Sequence, residues 1–496
     1  MHRSIPIFYS ALLLTFVNLL LRLVGTSFQV YLSGQIGPSG IGLLQLVLSV
    51  GSLAMVAGIA GVRTATMYLT AEELGKRKPQ NVIWVLSGCF TYSMICSGAV
   101  AAALYNFAPI IAEKWIGDTQ TIDALRLLAV FLPVTCLCGV MTGYFTAANR
   151  IGTLAAVEVA EQLFSMGITM AALRFWAGKD PRKACQAVVM GSCAGACLTL
   201  SCLVYLRLRD HASTGAKISV ARRMSETAVP LALADILKSG ISTVENLMVP
   251  KRLSLNTQVT NPLASFGLVC GMVFPVLMFP ACILFGLTEL LIPELARCNA
   301  SGSKDRIQYL VKRSLKVSMI YGILFSGLMY LLAEELCLML YDNAEAGKYL
   351  KLYALLIPML YCDAITDAMV KGLGQQKICV RYNILTSFLD VVFLFILLPR
   401  FGMQGYYISF LVTHLINFIL SFRRLMIITK LSLPCHIPIL SIVATIAATC
   451  GTSVVSAPML RLLAYPVVLI CLLYLMQIIE QEDFLWLKGM VLKKST

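Results

Sequence analysis

Long apolar segments alternate with short polar connections along almost the whole chain. An α-helix needs about 20 apolar residues to cross the hydrocarbon core of a bilayer, so each segment predicts one membrane-spanning helix. We number these segments spans 1 to 14 in chain order. They lie at about residues 7–31, 41–68, 82–107, 124–148, 154–176, 184–206, 228–249, 262–292, 309–332, 350–373, 378–398, 406–422, 437–455 and 460–479. The pattern therefore predicts an all-α polytopic membrane protein.

Composition agrees with this fold class. The chain has 496 residues, of which 58% are hydrophobic and only 13% are charged. Soluble domains carry about 25% charged residues, so a water-soluble globule is excluded. Spans of roughly 22 residues leave connections of about a dozen residues each, too short for a separate catalytic domain. Span 1 carries Asn18 and Arg22 and is too long for a signal peptide, so we expect it to be retained.

The net charge of +15 falls mainly in alternate connections. With a cytoplasmic N-terminus, the inner connections hold most of the basic residues: Lys76, Arg77, Lys78, Arg207, Arg209, Lys217, Arg222, Arg223, Arg297, Lys304, Arg306, Lys312, Arg313, Lys316, Arg423, Arg424, Lys430, Lys488, Lys493 and Lys494. The outer connection 174–183 is an exception, with four basic residues. Because positive charge favours the inner side, we expect a multi-pass protein of the cytoplasmic membrane with both termini in the cytoplasm. The charge then faces anionic membrane lipids, and no nucleic-acid partner is expected.

An internal repeat relates the two halves of the chain. Residues 125–133 (LRLLAVFLP) match residues 350–358 (LKLYALLIP) without a gap, and Pro133 and Pro358 fall early in spans 4 and 10. Residues 73–76 and 294–297 form a weaker match, and chance similarity of Leu-rich helices is the alternative. A unit of six spans repeated in the same orientation is a parallel repeat, and transporters built this way bind substrate between the halves. We expect an N-lobe at 1–222, a C-lobe at 223–430 and a C-terminal helix pair at 431–496.

Polar stripes mark the first helix of each half. At 100° per residue, the span 1 residues Asn18, Arg22 and Gln29 fall within about 40° of one another. The span 7 residues fall within about 80°, and they are Asp235, Lys238, Ser242 and Glu245. Ionisable groups inside a span cost about 2.5–3.5 kcal/mol each and usually face a cavity or a partner. The two stripes therefore predict a water-accessible substrate cleft.

The basic members of these stripes suit an anionic ligand. Arg22 and Lys238 can bind a phosphate or pyrophosphate, Arg22 through its bidentate fork and Lys238 as a point charge. An ion pair between Asp235 and Lys238 is the structural alternative. Arg63, late in span 2, either lines the same cavity or extends to the inner membrane surface.

Carboxyl groups at membrane depth are candidates for coupling transport to H⁺ or Na⁺. They are Glu158 and Glu161 on span 5, Asp363 and Asp367 on span 10, and Asp390 on span 11, where Asn383 and Ser387 share its face. Neutral carboxyls hydrogen-bonded between helices are the alternative. The four histidines are isolated in the sequence and the seventeen cysteines are scattered, so no metal site and no bound cofactor are expected. No nucleotide-binding loop is present.

Four motifs in order along the chain carry a family resemblance. They are residues 22–25 (RLVG), the turn 37–42 (GPSGIG) with Leu44 and Gln45, residues 72–75 (EELG) and residues 246–253 (NLMVPKRL). With them the chain resembles the multidrug/oligosaccharidyl-lipid/polysaccharide exporter superfamily, and within it the stage V sporulation protein B branch of polysaccharide-type flippases. The resemblance implies two six-helix lobes around a cavity that opens alternately to either side. Arg22 matches the first cavity arginine of related lipid-linked peptidoglycan precursor flippases, whereas Phe28 and Gln29 stand where those relatives have a second arginine.

The resemblance implies a transporter of a lipid-linked oligosaccharide or peptidoglycan precursor, acting as a monomer. A cation-coupled multidrug antiporter of the same superfamily is the alternative. Such an antiporter needs an acidic site in the first helix, and span 1 offers Arg22 and no carboxylate, which favours an anionic substrate. A glycan-modifying membrane enzyme is disfavoured because the outer connections are short and lack a His or Asp cluster. We therefore expect no enzymatic activity.

Overall fold

The computed structural model describes residues 4–76, 79–178, 180–209, 221–431, 436–455 and 457–479. Throughout these ranges the regular elements are helices, and no strand occurs in them. The first half contains α1 (Ser4–Ile59), α2 (Val62–Gly75), α3 (Val82–Ile110), α4 (Ile122–Ala147), α5 (Ile151–Ala172), α6 (Pro181–Arg209) and α7 (Ala221–Leu253). The second half contains α8 (Pro262–Gly267), α9 (Phe274–Met278), α10 (Ala281–Ala300), α11 (Lys304–Leu331), α12 (Ala333–Tyr341), α13 (Ala344–Ala354), α14 (Ile357–Gly372), α15 (Gln376–Thr429), α16 (His436–Ser453) and α17 (Pro458–Leu475).

Two of these helices each contain two predicted spans. Span 1 and most of span 2 follow one another in α1, interrupted at Gly37 with φ 68° and ψ 177°, and span 2 ends in α2. Spans 11 and 12 follow one another in α15, interrupted at Gly402 with φ 57° and ψ −137°. Both backbone conformations have a positive φ, which glycine adopts without a steric penalty. A single glycine therefore takes the place of a loop in each pair.

The helices fit the predicted number of crossings. In the described ranges, eight helices are long and apolar enough to cross a membrane, or up to ten if each bent pair is one span. Two of the eight carry two predicted spans each, and the bent pairs are predicted spans 8 and 10. Span 13 corresponds to the shorter apolar helix Leu440–Ser453, and span 7 to α7. The all-α multi-pass fold is confirmed, and about fourteen crossings are consistent with it.

The repeated proline segments have different conformations. The first continues through Pro133 inside α4, whereas the second is broken into α13 and α14, which are bent by 56°. At the break, Ser326 Oγ donates to the Ala354 carbonyl at 2.9 Å. A Cβ atom on Gly322 would lie 2.8 Å from Pro358 Cα, so α11 can approach the break only with glycine at this position.

The weaker repeat motif has the same contact in both halves. Lys76 Nζ lies 3.5 Å from Glu73, and Arg297 Nη1 lies 3.7 Å from Glu294, each pair three residues apart near a helix end. Both pairs follow the inner end of a predicted span. The matching contacts agree with an internal repeat.

Contacts divide the chain into two compact units. The first unit comprises Met1–Met272 and Ser387–Tyr406, and the second comprises Val273–Thr386 and Tyr407–Thr496. In the first unit, an apolar core that includes Leu69, Phe145 and Leu203 also contains Ala228 of α7. In the second unit, α17 packs on α11 through Tyr465, whose hydroxyl donates to the Ile323 carbonyl at 3.2 Å. The lobe boundaries at 222 and 430 stay a prediction about the repeat.

Candidate substrate-binding site

Exposed polar residues lie on α1 and α7 of the first unit. Arg22 is exposed on α1, and Asp235, Lys238 and Ser242 are exposed on α7. All four lie within predicted membrane spans, where a charged side chain facing lipid is costly. Their exposure is therefore best explained by a surface that water reaches.

Hydrogen bonds to the span 2 part of α1 hold α7 in place. Thr243 Oγ1 donates to the Ser49 carbonyl at 3.1 Å, and Asn246 Nδ2 donates to Ser49 Oγ at 3.0 Å. Further along, a Cβ atom on Gly61 would lie 2.5 Å from the Ala228 carbonyl oxygen. These contacts fix the rotation of α7 about its axis, and Ser242, which immediately precedes Thr243, is left exposed.

Asp235 and Lys238 do not neutralise each other. Among the residues with described side chains, no ion pair joins these two groups. The structural alternative raised by their three-residue spacing is thus absent from this conformation.

Gln29 and Glu245, predicted on the same two stripes, are half-buried and bonded to other helices. Gln29 Nε2 donates to the Gly271 carbonyl at 3.1 Å, within the π-helical turn Leu268–Val273. Such turns are frequent at functional sites because they change the backbone hydrogen bonding locally. The Glu245 carboxyl lies beside the carboxyl of Asp390 on α15. This contact joins predicted spans 7 and 11.

The remaining basic candidate, Arg63, is exposed on α2 and faces a carboxylate. Glu158 on α5 is half-buried and lies within electrostatic range of the Arg63 guanidinium. One turn further, Gln162 Nε2 donates to the Leu21 carbonyl at 2.9 Å, next to Arg22. The helix α5 therefore passes both arginine positions.

Glu161, on the same helix, is half-buried and has a partner within the first unit. Its carboxylate accepts a hydrogen bond of 2.6 Å from Thr199 Oγ1 on α6. The predicted pair thus has two different environments: Glu158 lies near the Arg63 guanidinium, and Glu161 is bonded to the Thr199 hydroxyl. The side chain of Asn18, also predicted in the site, lies outside the described residues.

Asp363 and Asp367 lie in the second unit, on α14, and are surrounded by donors. Asn417 Nδ2 lies 3.0 Å from Asp363 Oδ1 and 3.2 Å from Oδ2. Ser421 Oγ donates to Asp367 Oδ1 at 2.8 Å, and Asn383 Nδ2 donates to Oδ2 at 3.0 Å. The two carboxylates have separate sets of partners.

His414, which is isolated in the sequence, has a carboxyl neighbour in the structure. Its Nδ1 lies 3.8 Å from Asp363 Oδ2, because α14 and the span 12 part of α15 pack side by side. His414, Asn417 and Ser421 recur at three- and four-residue intervals, which places them on one helical face. The same phase test that identified the span 1 and span 7 stripes could have found this face. Within the part of the chain that the structure describes, no group of His, Cys, Asp and Glu residues is suited to a metal ion.

Two family profiles match overlapping parts of the chain. The family described as a polysaccharide biosynthesis protein matches residues 35–258, and the family described as MatE matches residues 230–396. Stage V sporulation protein B of Bacillus subtilis (strain 168) is 20% identical over 411 residues, covering 79% of this chain and 78% of that protein.

Two solved structures have the same fold. The lipid II flippase MurJ in an inward closed conformation gives a TM-score of 0.69 at 12% identity, covering 93% of this chain and 98% of that one. A multidrug resistance MATE family transporter in an inward-facing conformation gives 0.66 at 14% identity, covering 84% of this chain and 100% of that one. The sequence motifs, the two profiles, the relative and the fold together support membership of this chain in the multidrug/oligosaccharidyl-lipid/polysaccharide exporter superfamily.

Proposed function

We propose that this protein is a flippase that moves a lipid-linked oligosaccharide or peptidoglycan precursor across the cytoplasmic membrane by alternating access. The observation that carries the proposal is the exposure of Arg22, Arg63 and Lys238 within membrane-spanning helices of the first unit. Basic groups kept at membrane depth, where each is costly, suit a ligand with a phosphate or pyrophosphate headgroup. Similarity to stage V sporulation protein B and to the fold of a lipid II flippase supports the same substrate class.

In this proposal Arg22 is the principal headgroup contact. Its guanidinium can hold two phosphate oxygens at once, whereas Lys238 contributes a single mobile charge. Asp235 and Ser242 on the adjoining surface of α7 are suited to hydroxyl and amide groups of a saccharide. Gln29 is assigned to the wall of the site, where its amide also binds the Gly271 carbonyl.

Coupling to H⁺ or Na⁺ is proposed at the carboxyl pair of Glu245 and Asp390. Two carboxyl groups can form a hydrogen bond only if they share a proton, and a sodium ion between them would replace that proton. Because the pair joins predicted spans 7 and 11, gain or loss of the cation changes a contact between helices. Glu158 and Glu161 are secondary candidates, since each already has a partner in Arg63 or Thr199.

A cation-coupled multidrug antiporter is the second candidate function. It is favoured by the fold of the MATE transporters and by the acidic groups Asp235 and Glu245 on α7. An antiporter of this kind would bind cationic compounds through these carboxylates. The two functions therefore require substrates of opposite charge.

The orientation and assembly of the transporter are part of the proposal. We place both termini in the cytoplasm because the predicted inner connections carry most of the basic residues. The substrate is expected to enter from the inner leaflet, and a monomer is sufficient because Arg22, Arg63 and Lys238 belong to one compact unit.

The decisive experiment compares Arg22 variants in reconstituted vesicles. We expect Arg22→Ala to slow translocation of a lipid-linked saccharide roughly tenfold or more, because a charge-assisted hydrogen bond contributes about 1.5–3 kcal/mol. Arg22→Lys should retain part of the rate. Arg297→Ala serves as the matched control, since Arg297 is exposed near the end of α10 and pairs with Glu294. Wild-type rates in Arg22→Ala, or faster efflux of cationic dyes that depends on Asp235, would overturn the assignment in favour of the antiporter.

A further inference from the structure

A buried polar cluster in the second unit joins α14 to the span 12 part of α15. Asp363 is 8% exposed and Asn417 is 5% exposed, so both lie almost entirely inside the protein. The cluster also includes Asp367, Ser421 and His414. Buried polar groups persist when they are hydrogen-bonded, and an unpaired member of such a cluster needs an explanation.

Asp363 and Asp367 differ in how completely their oxygen atoms are hydrogen-bonded. Each oxygen of Asp367 accepts one hydrogen bond, from Ser421 or from Asn383, as suits a permanently ionised carboxylate. Asp363 instead receives the single amide nitrogen of Asn417 at both oxygens. Asp363 is therefore the less completely satisfied of the two.

Asn417 is itself only half satisfied. Its Oδ1 atom is buried and has no hydrogen-bond partner among the described residues, although the amide nitrogen of the same group binds Asp363. Leaving a buried acceptor without a donor costs about 1–3 kcal/mol. A donor arriving at Asp363 would give Oδ1 a partner, since a half-turn of the carboxamide exchanges its oxygen and nitrogen positions.

His414 connects the buried carboxylate to a more accessible position. The His414 side chain is 37% exposed, that of Asp363 is 12% exposed, and Nδ1 lies 3.8 Å from Asp363 Oδ2. The imidazole ring packs against Phe410, with ring centroids 4.2 Å apart, which limits its orientation. Histidine changes its protonation near neutral pH and can pass protons between water and a buried group.

We propose that Asp363 and His414 form a proton-binding pair, and that the Asn417 carboxamide rotates when the proton is bound. A proton from water binds His414 and passes to Asp363, which returns the imidazole to its neutral form. The new hydroxyl of Asp363 then donates to Asn417 Oδ1, and the bond from Asn417 Nδ2 is released. Proton binding thus changes the hydrogen bond between predicted spans 10 and 12: Asp363 becomes the donor in place of Asn417.

The donor set favours a proton over a metal cation. Sodium, as a hard cation, is bound through several oxygen atoms, whereas Asp363 is approached here by the nitrogen atoms of Asn417 and His414. Among the residues with described side chains, the charged neighbours that act on Asp363 are His414 on α15 and Asp367 on its own helix. From α11, Ser318 contacts the thiol of Cys362.

Infrared difference spectroscopy on the purified full-length protein can detect the proton directly. Spectra recorded at acidic minus neutral pH should contain the carbonyl stretch of a protonated carboxyl together with an amide side-chain band. The spectra are compared in a Glu245→Gln background, which removes the carboxyl of the other proposed pair. In that background we expect Asp363→Asn to lose the carboxyl band and Asp363→Glu to restore one at a shifted position. Asp367→Asn is the matched control, one turn away on α14, and should retain the band.

The inference rests on the proposed function for the role of the proton in transport, but its test does not need the lipid substrate. Retention of the band in Asp363→Asn, or loss of the amide change while the carboxyl band persists, would overturn it. Suppression of the band by sodium at constant pH would also overturn it, in favour of a sodium site. If the flippase assay fails while the infrared result is as expected, the proposed substrate is wrong and the proton-binding pair still stands.

Discussion

Predicted spans 4 and 10 contain nearly the same nine-residue segment, yet one is a continuous helix and the other is broken. In α4 the chain continues helically through Pro133. In the second copy, α13 ends at Ala354 and α14 begins at Ile357 with Pro358 in its first turn. The local sequence therefore permits both conformations, and the neighbouring helices decide between them.

The helices beside the two segments differ in the hydrogen-bond donors that they provide to backbone carbonyls. Beside the break, Ser326 donates to the freed Ala354 carbonyl, whereas in the first half Ser97 of α3 donates to Ser93 of its own helix. A carbonyl released inside a membrane has no water to bind, so a broken helix needs such a donor. The comparison indicates that a break requires both a proline and a partner for the released carbonyl.

Aromatic packing adds to the difference. Tyr353, which corresponds to Leu128 in the repeat, is fully buried among the rings of Phe274, Tyr407 and Phe410. Aromatic pairs of this kind contribute about 0.5–1.5 kcal/mol beyond the area that they bury. The cluster holds α13 in the direction that the break requires.

The largest expected effect comes from filling the space beside the break. Gly322→Leu places a side chain where even a Cβ atom would lie 2.8 Å from Pro358 Cα, and overpacking of this kind lowers stability by about 3 kcal/mol. Gly98→Leu on α3 is the control, since nothing lies within 4 Å of a Cβ atom there. Thermal unfolding in detergent measures both, and equal melting temperatures would mean that α11 does not fix the break.

Removal of the carbonyl donor should have an intermediate effect. Ser326→Ala leaves the Ala354 carbonyl without its partner, which costs about 1–3 kcal/mol. Ser97→Ala should cost less, because the Ser93 carbonyl can keep its backbone bond within α3. Chemical unfolding of the two variants side by side tests the difference. If Ser97→Ala lowered stability more than Ser326→Ala, the hydrogen bond to the Ala354 carbonyl could not be what stabilises the break.

Substitution of the two prolines should have the smallest effects, and with opposite signs. Pro133 lies inside a helix, where proline is intrinsically less favourable than alanine by about 3 kcal/mol. Because neighbouring groups in a membrane helix re-satisfy most of the freed backbone, Pro133→Ala is expected to raise stability by only about 1 kcal/mol. Pro358 lies in the first turn of α14, where its missing N–H costs nothing, so Pro358→Ala should lower stability by about 0.5 kcal/mol. Melting temperatures of the single and double variants provide the measurement. Changes of the same sign would show that the two sites are equivalent after all.

The sequence was sufficient for the features that depend on composition and local spacing. Apolar length identified the spans, and the glycine turn at residues 37–42 coincides with the interruption of α1 at Gly37. It could not identify the break in span 10, because Ser326 and Gly322, which stabilise it, belong to another helix. Hydropathy has no information about which helices become neighbours.

Some features of the candidate site could likewise be predicted from the sequence, and others could not. Exposure of Arg22, Asp235 and Lys238 follows from the cost of placing charges in lipid, so their orientation could be inferred from helical phase. The contacts of Glu245 with Asp390 and of Asp363 with His414 join residues far apart in the sequence. These pairings depend on helix packing, which no local pattern encodes.

The interruptions at Gly37 and Gly402 have a consequence for biosynthesis. In each case two helical segments follow one another with a single non-helical residue between them, so the connection between the two predicted crossings is very short. We therefore expect such successive crossings of opposite direction to enter the membrane together, as one hairpin. Peptide tags inserted at these glycines should block membrane integration, whereas tags in the longer connection between α6 and α7 should be tolerated.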